Sequence, residues 1–306
     1  MKISIVISSY NGSKTIEEQL DSLRTQTRTP DEVIVCDDCS NDGTPELVTE
    51  YIRKHSLDNN WKVIVNRQNK GWKKNFMDSI RQSTGTIVFT CDQDDIWRQD
   101  KLEIMESIMS DHPEINLLAS NYLELYDDGH TKVGPHKNTR KLEKVKLKDN
   151  YMLVGAPGCT YCFRRKLFNL ADKSWFEGYP HDALLWRTAL FTDSLYFYTD
   201  DLIRWRKHND SAFSVDSSNK TKKNKEEWLE YDLKVADGIE KSISSFNGDT
   251  TQQKKILSRN RKWISIRKKF YQTKNIFTGL HLMFYWNCYP RYRQYPADWY
   301  LIFIKR

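Results

Sequence analysis

No stretch of this chain is apolar for long enough to cross a bilayer: the longest late run, Trp299 to Ile304, is about a third of the roughly 20 residues required. The opening Met1 to Ser8 is too short an apolar run for a secretion signal and ends in Ser8-Ser9-Tyr10-Asn11-Gly12, which is strand-to-turn chemistry, so neither an export signal nor a spanning segment is expected. No Gly-x-Gly-x-x-Gly and no phosphate-loop lysine follow the first strand, which removes the main support for dinucleotide and P-loop readings. Cysteine is sparse. Its six residues include two Cys-x-x-Cys pairs, Cys36 with Cys39 and Cys159 with Cys162, which together imitate a four-thiolate zinc site. However, Cys36 ends an apolar strand and Cys159 and Cys162 lie in an alternating run that points them to opposite faces, so reduced, packed thiols are expected. Acids are missing altogether between Lys254 and Lys274, where nine Lys and Arg fall.

What is present begins with 306 residues at 39% hydrophobic, enough for one large core or a core with an appendage. The first hundred residues alternate strand and helix: strands over Ile3 to Ser8, Glu32 to Cys36, Trp61 to Val65 and Thr86 to Cys91, with helices over Ser13 to Arg24, Thr44 to Lys54 and Trp72 to Gln82. Short connections in this order predict an α/β fold with a mostly parallel central sheet covered on both faces. Ligands of such sheets bind at the carboxyl ends of the strands. Three of those ends are polar here: Ser8 to Gly12, Asp37 to Gly43, and Asp92-Gln93-Asp94-Asp95-Ile96-Trp97. Three acids in four positions repel one another unless a cation lies between them, and a hard divalent ion held by carboxylates and substrate phosphates meets that need. The plainer alternative is a solvated acidic turn capping a helix that starts near Asp95.

Further along, Leu117 to Tyr126 reads as strand, Asp127-Asp128-Gly129 as a turn, and Lys137 to Lys148 as a mobile polar run. Cys159 to Phe163 reads as a strand followed by a helix opening at Arg164-Arg165. A helix from Ala183 to Phe191 follows His181-Asp182, with Asp182 in a first turn where the dipole favours its ionised form. Strand alternation places Arg204, Arg206 and His208 on one face, where they are either a diphosphate-facing set or gatekeepers of a surface edge.

These motifs together resemble the family 2 glycosyltransferases, inverting enzymes of the GT-A fold, over roughly residues 1 to 210. The carriers are Ile5 to Asn11, Val33 to Thr44 with Asp37-Asp38-Cys39-Ser40, Asn69-Lys70-Gly71 with Asn75-Phe76, Asp92-Gln93-Asp94, His181-Asp182, and Arg204-Trp205-Arg206-Lys207-His208. The form Asp92 to Trp97 looks most like bacterial surface-polysaccharide enzymes, including rhamnosyltransferases; Cys39 departs from the Gly often found there. The resemblance implies that Ser8, Tyr10 and Asp38 line the nucleoside, with Asp38 on the imide edge of a uracil or thymine. Asp92 would contact the ribose or metal-bound water, and Asp94 and His208 would ligate Mn²⁺ or Mg²⁺. Asp182 would be the catalytic base, while Asp95, Trp97, His181, Arg204 and Arg206 are candidate diphosphate or acceptor contacts. A helix cap is the competing role for Asp38 and Asp182, and the favoured one for Asp37.

The first 216 residues carry 29 basic against 33 acidic residues and the remainder 19 against 8, so the positive excess belongs to the end of the chain. The expected organisation is a GT-A domain over 1–215, with a nucleotide half 1–100 and an acceptor half 101–215, then a basic, aromatic-rich helical region over 216–306. Helices are expected over Lys225 to Ser242 and Gln252 to Thr273. Trp263, Ile266 and Phe270 form a stripe on the second, which reads as an apolar anchor at an anionic membrane surface rather than a nucleic-acid site. The function expected is transfer of one sugar from a UDP- or dTDP-sugar to a saccharide acceptor, lipid-linked or on a glycoprotein. The setting would be polysaccharide or capsule synthesis at the cytoplasmic face of the membrane. The rivals are a sugar-nucleotide nucleotidyltransferase and a non-catalytic basic binding module.

Overall fold

The computed structural model describes residues 1–207, 222–244, 246 and 248–304. Four parallel strands form the heart of the first compact unit: β1 (Ile3–Ser9), β2 (Glu32–Asp37), β3 (Trp61–Val65) and β4 (Ile87–Asp92). They are joined by α1 (Ile16–Arg24), α2 (Thr44–Lys54) and α3 (Trp72–Gln82). The near-continuous Val and Ile of β1, β2 and β4 is explained by burial on both faces: Ile3, Ile5, Ile7, Val33, Val35, Ile87 and Phe89 are all fully enclosed.

Past β4 come β5 (Ile96–Trp97), α4 (Lys101–Asp111), β6 (Leu117–Leu125), β7 (Thr131–Val133) and β8 (Leu142–Lys144). They are followed by a 3-10 turn (Gly158–Thr160), β9 (Tyr161–Arg164), α5 (Arg165–Asp172), α6 (His181–Phe191) and β10 (Leu195–Arg206). The sheet runs β3-β2-β1-β4-β9-β6-β10-β5, with β7 beside β6 and β8 beside β10. Strand β9 is antiparallel to β4 and β6, pairing with Ile87 to Phe89 of β4, which turns a parallel sheet into a mixed one.

Three local expectations change. The acidic residues do not cap a helix near Asp95, because the two-residue strand β5 pairs with the end of β10 and α4 starts only at Lys101. Lys137 to Lys148 contains an ordered strand, β8, whose Leu142 to Lys144 pair with Tyr198 to Tyr196. Arg204 to Arg206 do not follow a short strand; they end the twelve-residue β10, whose pairing with β6 slips twice between Tyr198 and Arg204. Both slips lie before Arg204, and from Arg204 to Arg206 the register is continuous, so the alternation that puts those two arginines on one face holds.

The second compact unit comprises 146–155, 190–193 and 209–306, so two short segments from the first two-thirds of the sequence group with the chain's end. Its described helices are α7 (Lys222–Ser244), α8 (Thr251–Thr273), α9 (Ile276–His281), a 3-10 helix (Leu282–Cys288) and α10 (Gln294–Phe303). Trp263 and Phe270 are fully buried in its core with Leu229, Ile264, Tyr271 and Tyr289, and Ile266 packs against it. The expected membrane-anchoring stripe on α8 is therefore interior packing. The acid-free run gains its counter-charges from elsewhere: Arg259 meets Asp149, Arg261 meets Asp237 and Glu240, Arg267 meets Asp298, and Lys268 meets Glu230. Among the described residues no helix is long and apolar enough to cross a membrane.

Candidate active site

Register brings the strand-end residues into one row: Ser8 lies beside Cys36 of β2 on one side and Asp92 of β4 on the other. Asn75 of α3 ties that row together, donating to the Ser8 hydroxyl at 2.8 Å and the Cys36 carbonyl at 2.7 Å while accepting from Asn66 at 2.8 Å. Asp38 is buried and accepts from Asn66 Nδ2 and the Lys70 amide at 2.9 Å and from the Gly71 amide at 2.8 Å. It therefore fastens the β3–α3 loop and does not cap α2. Gly71 has φ +80, a conformation that lets its amide turn to the carboxylate at no steric cost. Of the roughly four acceptor positions of a carboxylate, about one on Asp38 is left for a ligand. Asp37, also buried, accepts from Ser9, from the Ser40 amide and from the Ser40 hydroxyl, holding the β2–α2 loop closed.

Tyr10 is 48% exposed, and its backbone is clamped by Gln93, whose amide oxygen accepts from Tyr10 N at 2.8 Å and whose Nε2 donates to Tyr10 O at 3.1 Å. Gln93 thus joins the β1 loop to the acidic loop. The spacing of the acids hid this role, since the residue between them reads as filler in sequence.

Asp92 and Asp94 stand at the half-exposed edge of that loop, whereas Asp95 is fully enclosed. Burial, with the Asp94 and Asp182 charges adding to it, pushes the Asp92 carboxyl up to about 7. Burial and the charges of Asp92 and Asp94 likewise hold the Asp95 carboxyl well above the ordinary range, and its Oδ2 has no partner. Oδ1 of Asp95 accepts from the Arg206 amide at 3.0 Å, and Arg206 Nε donates to the Asp94 carbonyl at 2.8 Å. The Arg206 guanidinium also pairs with Glu18 at 2.6 Å, so it braces the acidic loop and is not a free diphosphate contact. Arg204 is exposed, and His208 lies outside the described residues.

Lys101 supplies a counter-charge no motif announced. It is fully buried, donates to the Cys159 carbonyl at 2.9 Å, lies 3.8 Å from the centre of the Trp97 ring, and is drawn down to about 8 by burial. Trp97 itself is 2% exposed, its amide bonded to the Ser22 hydroxyl and its ring against Phe89. It belongs to the core, which corrects its candidacy as a ligand contact. Among the described residues, the three ligand-type groups that come within 4.8 Å of one another are Asp92, Asp95 and Cys159. Burial raises the Cys159 thiol well above its ordinary value, and a soft sulfur suits a hard divalent ion less well than carboxylate oxygen does. Carboxylates whose repulsion a cation would relieve fit a hard divalent ion, and Asp92 and Asp94 are the accessible pair.

Asp182 occupies the first turn of α6 with Oδ1 accepting from the Ala183 amide at 2.7 Å. The Asp182 charge adds to the rise of the Asp92 carboxyl. His181 is buried, stacks on Phe76 at 4.0 Å, and has no hydrogen-bond partner at either ring nitrogen. Gly158 is what lets the two approach: a Cβ there would lie 2.9 Å from both Asp182 Cβ and His181 Nε2. Thr90 of β4 secures that position by donating to the Gly158 carbonyl at 2.7 Å.

The geometry has counterparts. The structure of Staphylococcus aureus TarS residues 1–349 in complex with UDP-GlcNAc superposes with a TM-score of 0.64 at 22% identity, over 86% of this chain and 73% of that one. A mannosyltransferase of Pyrobaculum calidifontis, solved with GDP-Man and Mn²⁺, gives 0.51 at 18% identity over 98% and 85% of the two chains. Both are likenesses of fold, and the fold is of the GT-A type. In sequence, the Escherichia coli UDP-Glc:alpha-D-GlcNAc-diphosphoundecaprenol beta-1,3-glucosyltransferase WfgD is 30% identical over 227 residues, 74% of this chain and 83% of that protein. Uncharacterized mycobacterial relatives are 33% identical over 130 residues, and the chain spans 37% of their length. The profile of Glycosyl transferase family 2 matches residues 4–170, more than half of the sequence and every strand of the parallel half-sheet, and the chain belongs to that family.

Proposed function

We propose that this chain is an inverting, metal-dependent glycosyltransferase that moves one sugar from a nucleoside diphosphate sugar, UDP- or dTDP-linked, to a hydroxyl of a saccharide acceptor in bacterial surface-polysaccharide synthesis. What supports the reading is the row of strand ends that holds Ser8, Asp38 and the acidic loop, together with the approach of Asp182 to Gly158, whose carbonyl Thr90 of β4 bonds. Ser8 and Tyr10 line the nucleoside, and the remaining acceptor position of Asp38 takes the imide N–H of the base. Asp182 accepts the proton of the attacking hydroxyl as the new glycosidic bond forms on the face opposite the departing diphosphate. A divalent ion held by Asp92 and Asp94, with His208 as a further ligand, would neutralise charge on that leaving group. Asp95, its Oδ2 unpartnered, and Lys101 hold this loop in place rather than touching substrate. The exposed Arg204 faces the acceptor or diphosphate, while the buried His181 supports the turn that carries Asp182 rather than touching substrate.

UDP is the favoured nucleotide because WfgD, by its name, uses UDP-Glc and TarS holds UDP-GlcNAc. The diphosphoundecaprenol in the name of WfgD supports a lipid-linked acceptor, and with it work at the cytoplasmic face of a membrane bearing anionic lipid. The test is donor-dependent stabilisation and turnover. Saturating UDP with Mn²⁺, at about 100 times its dissociation constant, should stabilise the chain by roughly 2.7 kcal/mol. Asp94→Ala should abolish the metal-dependent part, and undiminished metal-dependent binding in that variant overturns the assignment. Asp182→Asn keeps the bond to the Ala183 amide but removes the base, so turnover should fall on the order of 10²-fold with donor binding unchanged.

A further inference from the structure

Among the described residues of the second unit, the most exposed apolar surface is not on the basic helix. It is a ridge formed by Ile276, Phe277 and Leu280 of α9 and Met283 and Phe284 of the following 3-10 helix, with Phe277 81% and Phe284 76% exposed. The opposite side of this segment is docked. Gly279 and Leu282 are buried, and a Cβ at Gly279 would strike Trp299 at 2.5 Å and Phe270 at 2.7 Å. Phe270, expected to be an anchor in lipid, is instead the seat on which the ridge rests.

Beside the ridge lies a small cationic pocket of about 230 Å³. It is built from Lys255, Ser258, Arg259 and Lys262, spaced i, i+3, i+4 and i+7 along α8, and closed by Tyr285. Pocket and ridge are joined directly: Arg259 Nη2 donates to the Phe284 carbonyl at 2.6 Å, and its guanidinium lies 5.0 Å from the Tyr285 ring centre. Asp149 offsets the Arg259 charge at 3.3 Å, but the exposed Lys255 and Lys262 have no ion-pair partner among the described residues. Isolated apolar residues on a surface are ordinary, whereas a contiguous ridge rimmed by cations marks an interaction site. The charge complementarity selects its occupant.

We infer that the ridge over 276–284 inserts into the headgroup boundary of an anionic phospholipid bilayer while Lys255, Arg259 and Lys262 receive a lipid phosphate. This rests on the reading that the chain works at an anionic membrane face, and it names the residues that make the contact. The ridge would supply the apolar hold and the pocket the preference for anionic lipid, so each can be removed separately.

The experiment is sedimentation of the full chain with phosphatidylglycerol-containing vesicles and with phosphatidylcholine vesicles, at low and high salt. The parent should bind the anionic vesicles and release at high salt. Phe277→Ser with Phe284→Ser should weaken partitioning at least ~10-fold, Phe284→Trp should preserve it, and Lys255→Glu with Lys262→Glu should abolish the preference for phosphatidylglycerol. UDP binding, measured on the same preparations, should be unchanged in all of them. A parent that binds while the double serine variant binds equally well overturns the ridge and leaves the membrane reading standing. A parent that ignores anionic vesicles at low salt overturns both. If that parent is also a dimer that the double serine variant dissolves, the occupant is a second copy of the chain.

Discussion

At the scale of single residues the site holds its chemistry in place by withholding water and partners. His181 is enclosed between Phe76 and the Gly158 turn, and burial lowers its imidazole to about 4, against an ordinary value near 6.5. Between those two values an unfolded chain takes up a proton that the folded one refuses. The contribution of His181 is therefore complete above pH 6.5 and is lost as pH falls toward 4, by up to about 3 kcal/mol. His181→Phe keeps the ring stack but has nothing to titrate. Its urea midpoint should fall less than that of the parent between pH 7 and pH 4.5, and equal falls would mean that His181 is protonated in the native state. Asp38, Asp92, Asp94 and Asp182 were visible in the sequence because their spacing follows strand ends and a helix start. Gln93, Asn75 and Lys101 had no such signal. Gln93 acts through the backbone of Tyr10, and Lys101 acts through a carbonyl 58 positions away, both pairings that exist only after the strands are in register.

Among the elements, α8 shows most clearly how sequence pattern and tertiary role diverge. Its eight cations suggested a lipid-facing helix, yet Arg267 is buried and bonded through Nε and Nη2 to Asp298 of α10 at 2.7 Å each. Tyr271 at 2.6 Å and Tyr289 at 3.1 Å donate to the same carboxylate, so four hydrogen bonds from three residues meet there. Removing one partner of a buried pair leaves an uncompensated charge, so Asp298→Ala should cost about 3–5 kcal/mol. The double change Arg267→Met with Asp298→Leu should recover most of that loss in chemical denaturation. A single variant within about 1 kcal/mol of the parent would show that the network is hydrated and worth little. The helices α2 and α3 and the strand β3 stand where periodicity put them, from Thr44, Trp72 and Trp61, because each has one partner face and unambiguous breakers at both ends. Strand β8 escaped notice because its three residues are mostly exposed, and only the edge of β10 gives them a ladder to join.

Across the whole molecule, protection against hydrogen exchange should follow this division of labour. The amides of β1 and β4, each flanked by other strands and enclosed on both faces, should be the slowest to exchange. Those of β7, exposed at all three residues, should be among the first to open, and slow exchange there in the isolated chain would contradict the assignment of β7 as an outer strand. Amino-acid order by itself determined the α/β class, the parallel half-sheet and the row of acids at its carboxyl edge, since hydrophobic period and turn chemistry are local and survive without any partner. It also determined that positive charge accumulates at the chain's end. Tertiary structure alone decided which of those cations were already paired, which aromatics faced solvent, and which side chains braced the acidic loop. Burial and pairing depend on residues far apart in sequence, and no local pattern carries the distance between Arg267 and Asp298 or between Phe270 and Gly279.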